Sequence, residues 1–78
     1  MTRGDLFLAL AIRGEAVELG NCIKIMWRGD SVTSKDLRHE IADIRIYLNQ
    51  LATHLEIDID EACEEKLDIV AKRLEPVA

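Results

Sequence analysis

The sequence contains no apolar run long enough to cross a bilayer. Its longest, Leu6 to Ile12, is far short of the about 20 residues a spanning helix needs. The segment before it has neither the basic start nor the small-residue cleavage site of a secretory signal. A cytoplasmic protein with no membrane partner is expected. Cysteine is sparse: Cys22 and Cys63 are the only two. In a reducing compartment each is expected to be a small apolar residue and not half of a disulfide. Positive charge is in deficit, with 10 Lys and Arg against 15 Asp and Glu for a net charge of −5. That argues against nucleic-acid polymers as partners, because their phosphates select for a surplus of Lys and Arg. An acidic chain still binds phosphate when a metal intervenes. No internal repeat, low-complexity tract or Gly-rich phosphate loop is present, and no stretch alternates apolar and polar residues like a half-buried strand. A chain of 78 residues holds one small domain, with a core over about 6–74, that buries too little surface to be generously stable alone. A partner chain is expected.

What is present is helical periodicity from end to end. A first helix is predicted from about Leu6 to Trp27, with Asp5 as N-cap. It ends near Gly29, because Gly29-Asp30-Ser31 is turn chemistry and glycine is favoured just past helix ends. A second is predicted from Thr33 or Ser34 to about Leu55, and Asp36 follows Thr33 at the spacing of a capping box. A third is predicted to start at Asp58, with Glu61 at the third position after it, and to end at Pro76. The fold class is all-α: three helices joined by tight turns.

A rotation of about 100° per residue places the acids on these helices. On the first, Leu8, Ile12, Leu19, Cys22, Ile23 and Met26 share the arc expected to face the core, with Glu15 inside it and Glu18 at its edge. On the second, Leu37, Ile41, Ile44, Leu48, Leu51 and Leu55 define the arc, with Glu40 inside it and Asp43 at the edge. Four carboxylates gathered between packed helices repel one another and lose hydration, so a cation must compensate. Mg²⁺ or Mn²⁺ fits best, since hard cations take oxygen ligands and keep positions for water and phosphate. Glu15, Glu18, Glu40 and Asp43 are the predicted ligands. Asp36 and His39 have D-x-x-H spacing, but no second such pair faces them, so a di-iron bundle is poorly supported.

Glu15-Ala-Val-Glu18-Leu19, then His39-Glu40-Ile41-Ala42-Asp43, then Leu51-Ala52 running to Ile57-Asp58, resembles the MazG family of all-α nucleoside triphosphate pyrophosphohydrolases, which includes dimeric dUTPase and dCTPase relatives. The likeness covers most of the chain, from about Leu6 to Arg73. It implies a four-helix-bundle-type domain completed by dimerisation, as a homodimer or a dimer of dimers. It also implies Mg²⁺- or Mn²⁺-dependent hydrolysis of a nucleoside triphosphate to the monophosphate and pyrophosphate. Glu18 would be the acid that also orients or deprotonates the attacking water. Glu61-Ala62-Cys63-Glu64-Glu65-Lys66-Leu67 is similar to the stretch in which the family carries a substrate-facing lysine, so Lys66 would bind substrate. Tyr47, one turn after Asp43, would stand near the nucleotide. Asn21 and Lys24 stand at positions similar to substrate-binding ones of the family, and Arg73, seven residues after Lys66 on the otherwise apolar arc of the third helix, is expected to join Lys66 as positive charge for the phosphates. The chain departs from the family at Gly14, where the acidic string has its first Glu, and at Val70, where relatives often have Asn.

The remaining chemistry-bearing residues point nowhere else. Trp27, at the end of an amphipathic helix, reads as a packing or interface anchor. His39 and His54 have no matching nucleophile or ligand set and read as exposed helix positions. Neither thiol has a basic neighbourhood that would activate it. The alternative to an enzyme is a non-catalytic nucleotide-sensing or dimerisation module on the same scaffold.

Overall fold

Each helix begins where a short oxygen-bearing side chain can satisfy free backbone amides. The computed structural model describes residues 1–31 and 33–74, in three helices: α1 (Arg3–Trp27), α2 (Ser34–His54) and α3 (Ile59–Leu74). Thr2 caps α1. Its hydroxyl accepts the Asp5 N–H at 3.2 Å, and the Asp5 carboxylate accepts the Thr2 N–H at 2.8 Å. The helix therefore starts earlier than predicted, and Asp5 is its third residue and not its cap. The reason is reciprocity: Thr2 followed by Asp5 closes both halves of a capping box, whereas Asp5 as cap would have Leu8 at the third position, with no acceptor to offer. Thr33 and Asp36 close the predicted box on α2. The Asp58 carboxylate accepts the Glu61 N–H at 3.1 Å, as the spacing predicts for α3. The Pro76 stop lies outside the described residues.

Both turns close in the same way. Gly29 adopts φ 83°, and the Asp30 N–H reaches back to the Ile25 carbonyl at 3.2 Å. Glu56 adopts φ 57°, and the Ile57 N–H reaches the Ala52 carbonyl at 2.8 Å. Each is a left-handed residue followed by a six-to-one hydrogen bond, the closure that lets a helix stop in one residue. Glycine makes the first turn legible; Glu56 hides the second.

The tight first turn folds α2 back along α1, so that Asp5 meets His54 at the open end and Glu15 lies beside Glu40 further along. Their seam is Leu8, Ile12, Glu15, Leu19 and Cys22 against Leu37, Glu40, Ile44, Tyr47, Leu51 and Leu55, all buried or half-buried. Steps of three and four residues separate the seam positions along both helices, which keeps one stripe of each helix facing the other. Among the described residues, α3 packs along neither α1 nor α2. The result is a slab of 47 × 42 × 17 Å, little thicker than one helix with its side chains. Ile23, Ile41 and Leu48, predicted for the core arcs, remain 52%, 57% and 43% exposed because no layer covers them. No helix among the described residues is long and apolar enough to cross a membrane.

Candidate functional site

The spacing that builds the seam also puts acid into it. Glu15 occupies the seam position between Ile12 and Leu19 on α1, and Glu40 that between Leu37 and Ile44 on α2. Both are half-buried, and the Oε2 atoms of both are closed off from solvent with no hydrogen-bond partner. Glu18, one turn beyond Glu15, is exposed at the seam's edge. One carboxylate oxygen from each of Glu15, Glu18 and Glu40 lies within 4.8 Å of the others, a separation that lets three oxygens converge on one hard cation.

The electrostatics match that geometry. Burial pushes the Glu15 carboxyl above its ordinary range, the close approach of the Glu40 carboxyl adds to this, and the negative charges of Glu18, Glu40 and Asp43 push the same way. Buried polar atoms in folded proteins are nearly always paired, so two unpaired carboxylate oxygens side by side are an open demand for positive charge or a proton. The donor set of hard oxygens suits Mg²⁺ or Mn²⁺ better than a soft-ligand metal. Cys22 lies close by on the seam. Burial raises its thiol, and Glu40, Asp36 and Glu18 add to the shift, which holds it in the neutral, unreactive form.

Three of the four predicted ligands thus converge. Asp43 stands outside the group of three, exposed on α2, yet near enough for its charge to act on Glu15. Tyr47 is half-buried in the seam one turn past Asp43, and Asn21 and Lys24 are exposed on the last turns of α1. Lys66 and Arg73 are exposed on α3, which packs along neither acid-bearing helix, so one chain by itself does not bring them to the acids. Sequence reasoning also misses a pairing. His54, expected at a solvent-facing position with no partner, has its Nδ1 3.2 Å from Oδ1 of the buried Asp5. The pair closes the open end of the hairpin. Gly4 faces the imidazole there, and a Cβ on it would stand 3.8 Å from the His54 Cε1, in ordinary contact. The Asp5 carboxyl is held below its ordinary range, first by the Thr2 backbone N–H, with the Thr2 hydroxyl and His54 assisting.

Compared with family models, with curated proteins and with solved structures, the chain has no significant match.

Proposed function

We propose that this chain is a Mg²⁺- or Mn²⁺-dependent nucleoside triphosphate pyrophosphohydrolase of the MazG-like kind, acting in the cytoplasm as a homodimer or dimer of dimers. The observation that carries the reading is that one carboxylate oxygen from each of Glu15, Glu18 and Glu40 lies within 4.8 Å of the others, with a solvent-excluded oxygen left unpartnered on Glu15 and on Glu40. The spacing of the same acids along the sequence agrees with it. Glu15, Glu18 and Glu40 would hold the cation, and Asp43, outside that group, would add its negative charge beside them. A bound Mg²⁺ supplies charge neutralisation for the triphosphate and a water more acidic than bulk water.

The chain's own residues do the rest. Glu18, the cluster member open to solvent, accepts the proton of the attacking water as that water closes in line on phosphorus. Tyr47 borders the site from α2, and Asn21 and Lys24 approach from α1 as substrate-binding groups. Lys66 and Arg73 are the fixed positive charge for the phosphates, which requires assembly to bring an α3 to the acids. The products are a nucleoside monophosphate and pyrophosphate.

A panel of standard and modified nucleoside triphosphates, assayed for pyrophosphate with Mg²⁺ and with Mn²⁺, tests the reading. Release from at least one substrate, lost in Glu40→Ala, is expected. No release from any, or full activity in Glu40→Ala, sinks it. One observation favours a second reading, a nucleotide-sensing module without turnover: Asp43 stands apart from the other three acids. Calorimetry with a non-hydrolysable triphosphate separates the two, since the module binds metal and nucleotide and releases nothing.

A further inference from the structure

The first helix, α1, is apolar on two opposite sides. The side that runs from Leu8 to Cys22 forms the seam and is covered by α2. The opposite side, roughly 180° round the helix at 100° per residue, carries Arg3, Leu6, Leu10, Arg13 and Val17 at steps of three and four, with Phe7 beside Leu6. Leu6, Phe7, Leu10 and Val17 are 61%, 66%, 56% and 58% exposed, and among the described residues no helix packs over them. Charge on this side has one sign. The acids of α1 between Arg3 and Val17 are Asp5 and Glu15, and both turn away: Asp5 is buried against His54, and Glu15 lies in the seam. Arg3 and Arg13 are exposed, and among the described residues neither has an ion-pair partner. A chain of net charge −5 thus presents, on one helix side, an apolar stripe bearing two unanswered guanidinium groups.

The possible covers meet that pattern differently. The same stripe of a second copy would gather four guanidinium groups around one apolar patch, with no carboxylate on either stripe to answer them. A nucleic acid would take the charge and leave Leu6, Phe7 and Leu10 in water. A bilayer surface with anionic headgroups takes both parts. Apolar side chains enter the boundary of the acyl region, arginine stems lie along them, and the guanidinium groups hold headgroup phosphates in paired hydrogen bonds. We propose that this side of α1 docks on an anionic lipid surface, with the helix axis in the plane of the membrane. The expectation of no membrane partner rests on spanning length, and a helix that rests on a bilayer needs no spanning run. The inference does not depend on the catalytic reading, because Glu15, Glu18 and Glu40 are not on this stripe.

Co-sedimentation of the full chain with vesicles tests it, using phosphatidylcholine alone and phosphatidylcholine mixed with phosphatidylglycerol. Binding to the mixed vesicles is expected to be at least about tenfold tighter than to the neutral ones. No binding to either, or equal binding to both, overturns the proposal. Arg13→Glu is expected to weaken binding to the mixed vesicles at least about tenfold, and Leu10→Gln about tenfold. Both positions are exposed, so the helical circular dichroism of each variant should match the wild type. Lys35→Glu, which reverses a charge at the start of α2, is expected to change vesicle binding less than about twofold. If Lys35→Glu weakens binding as much as Arg13→Glu, net charge and not this stripe makes the contact, and the assignment fails. Retention of duplex DNA in place of anionic vesicles also overturns it. Sedimentation equilibrium without lipid supplies the last arm: Arg13→Glu and Leu10→Gln should keep the wild-type mass. A lower mass in either would assign the stripe to a second copy of the chain and overturn the proposal.

Discussion

Glu15 and Glu40 sit in the seam where an apolar side chain would stabilise the hairpin better. Two like charges there, with an unpaired oxygen on each, oppose folding until a cation or a proton arrives. Glu15→Gln is therefore expected to melt at a higher temperature than the wild type without metal, and to bind Mg²⁺ more weakly by calorimetry. A variant destabilised without metal would show that the site is not strained. The pH dependence follows from the same group. Because the Glu15 carboxyl is raised in the folded chain, mainly by burial, the folded state holds that proton more tightly than the unfolded one. Its contribution is complete below the ordinary carboxylate value and fades as pH rises through the raised folded value. Metal-free protein should gain stability on mild acidification, and Glu15→Gln should flatten that gain in urea titrations across the same window. Asp5, lowered chiefly by the Thr2 N–H, works in the opposite sense, and its contribution is lost only at more acidic pH. Cys22 gives a further check: with its thiol raised by burial and by Glu40, Asp36 and Glu18, it should react with a thiol reagent much more slowly than exposed Cys63. Equal rates would mean the seam opens readily. The acids are legible in the sequence because one rotation rule places them against an apolar arc. The Asp5–His54 pair is not, because residues 49 positions apart meet only once the hairpin register is known.

At the scale of the helices, local chemistry decides the ends. Thr33 with Asp36, and Asp58 with Glu61, are short-range pairs whose spacing can be read without tertiary information, and both form. The start of α1 is harder to read, because Thr2 and Asp5 are both good caps and only the reciprocal bond separates them. The second turn is legible in place but not in conformation, since nothing in the sequence marks Glu56 as left-handed. A residue with a Cβ there costs about 1–2 kcal/mol relative to the right-handed basin, and glycine avoids most of it. Glu56→Gly is thus expected to stabilise the chain by about 1 kcal/mol in urea unfolding. A loss would show that the Glu56 side chain makes a compensating contact. Gly14 and Gly20 lie inside α1 with open space where a Cβ would stand, so neither is required by packing within the chain. In the single chain, a Glu in place of Gly14 would meet no obstruction at its Cβ.

At the scale of the whole molecule, three helices and one strong seam are legible, and the shape is not. The arcs of α1 and α2 are predicted to face a core, yet Ile23, Ile41 and Leu48 face outward, because a single layer has only one inner side per helix. Periodicity reports which side of a helix is apolar. It does not report whether the cover comes from the same chain, and a protein of this size supplies too few helices to cover every face. The surplus of exposed apolar surface has a thermodynamic consequence that needs no knowledge of the interface. If folding and association are linked, unfolding releases two chains, and a hundredfold rise in protein concentration adds about 2.7 kcal/mol to the stability of each dimer. With a urea slope of about 2 kcal/mol/M, the midpoint should climb by about 1 M over that range. A monomer that stands alone gives a midpoint independent of concentration, and that result would leave the slab to be stabilised by its seam alone. Glu15→Gln, measured in the same titration, should shift the midpoint at every concentration and leave any dependence on concentration unchanged.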